Sequence, residues 1–305
     1  MDVLADLLNL LRINRVSLIR SHFRDPWSVA FGQSEGSVFH GVIKGRCWVN
    51  VAGSAGPIEL FQGDIIVLSA GSPHVICSQL EVSPLSPRAV GIKEHQTFQE
   101  VHHGDGGEET VILGGSFSFA HPAAVSLLPL LPPTLHLSSR GDESVLSMLN
   151  LISEELGHMN LGFESIVIRT MQNMFVFLLR HHAATDMVCN GSFMLAIKDR
   201  RISSALTLIH NRPEDKWTVD LLASKVGMSR SGFFSRFKNL MGDSPANYLG
   251  RWRMFTAADI MNRFPMLSTV EVAERVGYRS ESAFAKAFKS HMGVTPSGYR
   301  VALEH

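Results

Sequence analysis

Histidine side chains give the N-terminal part of this sequence its clearest chemical potential, because neutral imidazole is the commonest protein ligand for transition metals. His40 and His74 both lie among short apolar segments. A catalytic metal ion usually takes three protein ligands, and the segment around His40 carries no carboxylate, so the pattern argues against an enzyme. It leaves open two interpretations. His40 and His74 bind a regulatory metal or a small-molecule effector, with Cys47 as a candidate third ligand, or they are core histidines whose hydrogen bonds are satisfied. Trp48 is a candidate for the wall of the same pocket, or simply a core residue.

A repeat in the C-terminal part indicates a different chemistry, the recognition of DNA. Ser229 to Tyr248 aligns with Ser280 to Tyr299 at a shift of 51 residues, with 9 identities in 20 positions. Each copy is predicted to form a short helix, a glycine turn and a second helix, over residues 218–242 and 268–293. This is the layout of a helix-turn-helix, whose second helix enters the major groove of DNA. The alternative is a helical repeat that packs only on itself.

The side chains that would face DNA follow from the helical period. In the second helix of copy one, Phe233 and Phe237 lie one turn apart and predict the buried face. Positions about half a turn away face outward, and the same offsets apply in copy two. The helix between the copies adds two arginines. The residues predicted to contact DNA are Arg230, Ser231, Phe234, Ser235, Lys238, Arg251, Arg253, Ser282, Ala285, Lys286 and Lys289.

These residues divide by the group that each can contact. Lys286 can reach a guanine edge. Lys238, Lys289, Arg251 and Arg253 are predicted phosphate partners. Residues 246–264 read as one helix, roughly 28 Å long at 1.5 Å per residue, which approaches the ~34 Å of one duplex turn. The two recognition helices are therefore predicted to enter successive major grooves on one face of the DNA.

Charge supports this division of the chain, although the formal net charge is zero. Residues 198–305 contain 17 Lys and Arg against 10 Asp and Glu, whereas residues 1–197 contain 11 against 18. A basic C-terminal part favours contacts to phosphates, which supply most of the sequence-independent affinity for DNA.

The same C-terminal residues carry a specific resemblance to a known family. The segments are Trp217–Ala223, Gly227–Ser231, Tyr248–Met254, Ala273–Tyr278, Phe284–Lys289 and Gly293–Arg300. Over about 100 residues they resemble the arabinose-regulator (AraC) family of bacterial transcription factors. The resemblance implies a seven-helix DNA-binding unit joined to a variable sensor or dimerisation domain. It also implies that bases are read by Ser231, Phe234 and Ser235 in copy one and by Ser282, Ala285 and Lys286 in copy two.

The N-terminal part is predicted to be a sandwich or barrel of short strands. Segments 37–43, 46–51, 58–61, 65–68 and 75–79 are separated by glycine, proline and serine turns. The string from Gly63 to His74 is similar to the second sequence motif of the cupin barrels, and His40 lies where their first motif has its histidines. The expected fold class is therefore a two-domain α+β protein, with a cupin-like β-barrel and a helix pair followed by an all-α domain with two helix-turn-helix motifs.

Helical patterns connect the two parts. Residues 142–159 and 163–182 are predicted to form two antiparallel amphipathic helices, which either provide a homodimer interface or cover the barrel. The predicted domains are a sensor and dimerisation domain over residues 1–185, a linker over 186–197, and a DNA-binding domain over 198–302. Its first helix is expected over residues 201–210.

Other features bear on the compartment. Residues 1–20 are predicted to form an amphipathic helix rather than a secretory signal, and prolines interrupt the longest apolar stretch, over residues 111–137. Three scattered cysteines fit a reducing compartment. We therefore expect a cytoplasmic protein without a membrane segment. His102 and His103 have a metal-like setting by composition but are predicted to lie in a solvated, glycine-rich loop.

Two functions remain. The first is a one-component transcription regulator that binds double-stranded DNA as a homodimer, and that binds RNA polymerase if it activates. A small molecule or metal would then act as effector, and DNA binding itself would need no cofactor. The alternative is a metal-dependent cupin-type enzyme or a metal sensor fused to a DNA-binding domain.

Overall fold

The computed structural model describes residues 13–34, 36–93, 96–119, 131–138, 144–184 and 193–303. The chain divides into two compact units. The first comprises residues 13–119 and 132–184, and the second contains the described residues from 193 onward. Within the described ranges, no helix has both the length and the apolar character that a membrane crossing requires.

The first unit contains two β-sheets whose inward side chains share one hydrophobic core. The six-stranded sheet has the order β10-β6-β3-β9-β1-β8 and the four-stranded sheet the order β2-β7-β4-β5. Strands β1 and β8 pair in parallel, and the other paired strands are antiparallel. The strands are β1 Ile13–Arg24, β2 Ser28–Phe31, β3 Ser37–Lys44, β4 Arg46–Val51, β5 Ile58–Phe61, β6 Ile65–Leu68, β7 His74–Cys77, β8 Phe98–His103, β9 Glu109–Phe119 and β10 Thr134–Leu137.

The five predicted strands correspond to β3 to β7, but the predicted N-terminal helix is wrong where the structure describes it. Ile13–Arg24 is the strand β1, which lies between β8 and β9. Its Leu18 and Phe23 are fully buried, and its backbone groups pair with strands on both sides. Pairing with distant segments therefore outweighs the local helical spacing. Residues 1–12 of the predicted helix lie outside the described residues.

The structure also corrects the placement of two histidines. His102 and His103, expected in a loop, are the last residues of strand β8. Because side chains alternate along a strand, they point to opposite faces. His103 makes an edge contact with the buried Phe23 ring, whereas His102 stacks on His22.

A helix pair packs on the first unit, formed by α1 Ser144–His158 and α2 Phe163–Ala184. The side chain of Leu149 lies directly over Gly41 of β3, where an added Cβ would come within 2.5 Å of it. Phe175 of α2 makes a ring contact with Phe117 of β9 at a centroid distance of 5.8 Å. Leu149 and Met171 are 0% and 2% exposed within the single chain. The apolar stripe of the pair therefore covers the barrel.

The second unit consists of helices. Its first helix, Phe193–Lys198, overlaps the predicted linker over residues 186–197, so the end of that segment is helical. The predicted helices at 201–210 and 246–264 correspond to the fourth and seventh helices of the chain. The helices are α3 Phe193–Lys198, α4 Arg200–Asn211, α5 Val219–Lys225, α6 Arg230–Met241, α7 Pro245–Arg263, α8 Thr269–Arg275, α9 Glu281–Met292 and α10 Pro296–Leu303.

Local capping explains where these helices begin and end. The Thr218 hydroxyl accepts a hydrogen bond from the Leu221 backbone N–H, and Ser268 forms a reciprocal capping box with Glu271. Helices α6 and α9 end at Gly242 and Gly293, which have left-handed φ angles of 69° and 76°. Glycine adopts such angles without steric cost. The helix boundaries are therefore encoded locally.

Candidate effector cavity and DNA-binding surface

A cavity of about 260 Å³ lies within the barrel, between side chains of both sheets. Most of its lining side chains are aliphatic or small, and its most polar part is formed by His40 and His74. The lining residues are Ser17, Ile19, Ser21, Phe31, Gly32, Gln33, Ser34, Val38, His40, His74, Ile76, Pro87, Ile92, Ile112, Gly114, Gly115 and Ser116.

His40 of β3 and His74 of β7 form a direct hydrogen bond between their Nε2 atoms, at 2.8 Å. Nδ1 of His74 lies 2.8 Å from the carbonyl oxygen of Ser72, which can only accept a hydrogen bond. His74 therefore carries its proton on Nδ1, and the Nε2–H of His40 donates to Nε2 of His74. Both histidines lie on the cavity wall.

The pair is held in its neutral form. Burial, together with the neighbouring His74, holds the pKa of His40 well below its ordinary value. Burial also lowers the pKa of His74, against the opposing effect of its hydrogen bond to Ser72. Nδ1 of His40 is left as a buried acceptor without a hydrogen-bond partner, packed against Gly114. An unsatisfied buried polar atom of this kind costs about 1–3 kcal/mol.

The candidate metal set His40, His74 and Cys47 does not fit the structure. The two Nε2 atoms already share a hydrogen bond. Burial raises the pKa of the Cys47 thiol, whereas a metal ligand must be a thiolate. Among the described residues, no group of three ligand side chains that is close enough to hold one ion contains His40, His74 or Cys47.

The structure also corrects the predicted position of Trp48 on the pocket wall. Cys47 and Val49 of β4 point into the core, so the intervening Trp48 points to the opposite face, where it is half-buried. It is absent from the cavity wall. The aromatic residue that sequence reasoning missed is Phe31, whose ring stacks on His74 at a centroid distance of 5.1 Å and an interplanar angle of 11°. Phe31 lies on β2, beyond the predicted strands, and only the pairing of β2 with β7 brings it to the site.

The two helix-turn-helix copies share one packing scheme. In copy one, Phe233 and Phe237 of α6 have centroids 5.7 Å apart, and Tyr248 packs edge-on against Phe237. In copy two, Phe284, Phe288 and Tyr299 repeat both contacts, with centroids 5.6 and 5.5 Å apart. The residues that define the sequence repeat are therefore those that fix each recognition helix in its motif.

The opposite faces of α6 and α9 are accessible. Lys286 is exposed on α9, with Ala285 half-buried beside it, and Phe234 is 39% exposed on α6. Arg230 forms an ion pair with Asp220 at 3.5 Å while remaining exposed. The other predicted contact residues of these two helices are exposed: Ser231, Ser235, Lys238, Ser282 and Lys289.

The two arginines of α7, predicted to contact phosphates, make contacts within the second unit. Arg253 donates from Nε to the Pro213 carbonyl at 2.6 Å and from Nη2 to the Asp215 carbonyl at 2.9 Å. Arg251 forms an ion pair with Asp243. Both side chains are half-buried, and Nη2 of Arg251 and Nε and Nη2 of Arg253 donate to groups inside the unit. Internal contacts of this kind, rather than contacts to phosphates, are what the structure shows for Arg251 and Arg253.

Comparison with known proteins accounts for both units. The family described as Cupin matches residues 2–184, and the family described as Helix-turn-helix domain matches residues 222–302. A Streptomyces antibioticus protein named as an AraC-like transcription regulator is 33% identical over 309 residues, covering 98% of each chain. The chain belongs to the AraC-like transcription regulators. A Streptomyces lividans relative of the same name is 32% identical, and the HTH-type transcriptional regulator MtrA of Neisseria gonorrhoeae is 29% identical, each over 98% of both chains.

This AraC-like regulator thus combines a cupin domain with a DNA-binding domain of two helix-turn-helix motifs. Its partner is double-stranded DNA, bound in a sequence-specific manner, and its relatives are named as regulators rather than enzymes. The enzymatic alternative is therefore not supported. The resemblance seen in the C-terminal segments and in Gly63 to His74 is confirmed over nearly the whole chain.

Proposed function

We propose that this AraC-like regulator binds a small, mainly apolar effector in the barrel cavity, and that occupancy changes its action at the operator. The observation that supports this most directly is the cavity with the His40–His74 pair on its wall. Its volume of about 260 Å³ lies below the range of roughly 300–1,000 Å³ common for drug-sized ligands, so the expected effector is smaller than those. Since the described residues supply no third ligand there, we favour an organic molecule over a metal.

The histidine pair suggests which polar group the effector carries. His40 has an acceptor nitrogen without a partner, and His74 has its acceptor occupied by His40. An effector with one O–H or N–H donor can draw the His40 ring toward the cavity and supply that partner. Its apolar part then lies against Ile76 and Ile112. Ligand binding shifts a conformational equilibrium only by its difference in affinity for the two states.

The DNA contacts follow from the exposed faces of α6 and α9. We assign base reading to Ser231, Phe234 and Ser235 in copy one, where small and apolar groups favour van der Waals contacts, and to Ser282, Ala285 and Lys286 in copy two. Lys286 is the residue best suited to a guanine edge. Lys238, Lys289 and Arg230 are assigned to phosphates. The protein acts in the cytoplasm, and it contacts RNA polymerase where it activates.

The oligomeric state in this proposal is a homodimer formed through the outward surface of the helix pair. Because Leu149 and Met171 are buried against the barrel in one chain, they are not available to a second copy. Leu151 and Ile166 remain 41% and 38% exposed, and Leu161 is fully exposed. These outward apolar residues replace the buried stripe as the proposed contact surface.

The effector proposal is tested by thermal unfolding with pairs of phenol-sized molecules, each compared with the analogue in which O–H is replaced by O–CH₃. We expect the hydroxyl compound of at least one pair to raise the unfolding temperature and its ether to do so much less. The double variant His40→Ala/His74→Ala should lose that difference while retaining wild-type affinity for operator DNA. A difference that persists in the double variant would show that the histidines are not the contact.

A further inference from the structure

Three potential metal ligands lie together on the outer face of the barrel, away from the cavity. His22 and His102 are register partners on the parallel strands β1 and β8, and Arg20 and Glu100 are the partners two residues earlier. The intervening residues of the two strands, including Val101, point toward the core. The side chains of His22, Glu100 and His102 therefore share one face of the sheet.

Their spacing matches a mononuclear metal site. Nε2 of His22 lies 3.0 Å from Oε1 of Glu100, and Nε2 of His102 lies 3.8 Å from the same oxygen. All three ligand atoms lie within 4.8 Å of one another. In a tetrahedral zinc site with bonds of about 2.0–2.1 Å, two ligand atoms are about 3.4 Å apart, and the two observed distances bracket this value.

Small side-chain movements would complete the geometry. The two imidazole rings are stacked, with centroids 4.5 Å apart and an interplanar angle of 13°, so each must turn toward a shared ion. The His102 side chain is 71% exposed and free to do so, whereas His22, at 22%, is held more firmly. Two hydrogen bonds from Arg20 hold the carboxylate of Glu100 beside the two histidines.

We propose that His22, Glu100 and His102 bind a divalent transition-metal ion of the Zn²⁺ class, with water completing its coordination. Two imidazoles and one carboxylate suit zinc, nickel or copper, whereas calcium and magnesium prefer oxygen ligands alone. The ion takes the place of the direct contact between Nε2 of His22 and Oε1 of Glu100. The neutral His22 ring then carries its proton on Nδ1, which lies 3.7 Å from Oε1 of Glu109. This site is independent of the effector cavity.

The site is connected to helix α1 through one side chain. Arg20 donates from Nη2 to Oε2 of Glu100 at 2.7 Å, and from Nη1 to the carbonyl oxygen of Ser153 at 2.8 Å. Oε1 of Glu100, which also receives Arg20 Nε at 3.2 Å, is the oxygen nearest both histidines. An ion at Oε1 competes with that second contact. Occupancy therefore changes how Arg20 holds the helix pair.

Equilibrium competition between the metal-free, untagged full-length protein and a chromophoric zinc chelator tests the proposal. We expect one Zn²⁺ per chain bound in the micromolar range or tighter, and a loss of at least tenfold in affinity for His102→Gln. The double variant His22→Gln/His102→Gln should lose the site. Replacing zinc by Co²⁺ should give visible absorption bands of a mixed nitrogen and oxygen environment that disappear in the same variants.

Two matched controls separate this site from others. His103→Gln changes the next residue of β8, which faces the opposite side, and His40→Gln changes the cavity pair; both should retain zinc binding. The exposure of His102 makes its substitution compatible with folding, so unchanged zinc affinity in His102→Gln would overturn the proposal. It would equally be overturned by a wild-type protein that takes up no zinc, or by binding that is lost in His40→Gln alone.

Discussion

The guanidinium carbon of Arg253 lies 5.7 Å from the centre of the Tyr278 ring. The same guanidinium donates from Nε and Nη2 to the carbonyl oxygens of Pro213 and Asp215, in the loop before the first motif. Arg253 belongs to α7, which follows the first helix-turn-helix, and Tyr278 lies in the turn of the second. One side chain therefore contacts the segment preceding copy one and the turn of copy two, and it helps to fix the two recognition helices relative to each other within this unit.

Replacing Arg253 with methionine should destabilise the DNA-binding unit rather than remove a phosphate contact. Two carbonyl groups lose a charged donor, and we expect the free energy of unfolding to fall by about 1–3 kcal/mol. The slope of log affinity against log salt should stay at its wild-type value, whereas the control Lys238→Ala should reduce it by about one. A reduced slope in the Arg253 variant would instead restore its assignment to phosphate.

Lys286→Ala should relax sequence preference at one position of the operator. A lysine contact to a guanine edge discriminates by roughly 1–3 kcal/mol, and Lys286 is exposed on the first two turns of α9. Binding to a panel of single-base operator variants would measure this loss. Lys289→Ala, less than one turn further along the same helix, serves as the matched control and should weaken binding to all operator variants alike. If Lys286→Ala also loses affinity evenly, the assignment of base reading to α9 is wrong.

The barrel should lose stability as the pH falls below about 6.5. Burial holds the pKa of both His40 and His74 below that ordinary value, so the unfolded chain takes up protons before the folded one. Each group then removes up to about 1.4 kcal/mol per pH unit. Urea denaturation across this range should show a steeper loss for the wild type than for His40→Asn/His74→Asn. Equal slopes would mean that the pair does not stay neutral.

Substitutions on the helix pair should separate dimerisation from folding. Leu149→Ala empties a buried position over Gly41 and should lower the free energy of unfolding by about 2–5 kcal/mol. Leu151→Glu/Ile166→Glu changes exposed residues and should yield monomers of nearly wild-type stability, as measured by sedimentation at micromolar concentration. A stable dimer in that double variant would place the contact surface elsewhere.

The DNA-binding unit was largely predictable because its signals are local. Thr218, Ser268, Gly242 and Gly293 cap helices within a few residues of themselves, and the repeat shows the same phenylalanine spacing twice. The roles of Arg251 and Arg253 were not predictable in this way. Their type indicates a cation, and only the folded loops show which carbonyl and carboxylate groups they contact.

The barrel was harder to predict because its contacts join distant segments. Strand β1 carries helical spacing but is held by β8 and β9, about 80 and 100 residues further on. The same pairing brings His22 to His102, whose sequence neighbours suggested only a loop. The stripe with Leu149 and Met171 was predicted to be either a homodimer interface or a cover of the barrel, and in the structure it is buried within the single chain. A sequence cannot tell whether an apolar stripe packs on its own barrel or on a second copy.

Consecutive residues of one strand connect the inside of the barrel to its outer layer. His40 points into the cavity, and Gly41, the next residue of β3, points outward beneath Leu149 of α1. Since glycine has no side chain there to absorb a displacement, the backbone of β3 is itself the contact surface of the helix. A molecule that displaces this backbone at His40 also displaces the surface on which Leu149 of α1 rests, so a signal can leave the barrel without any chain of polar side chains to carry it.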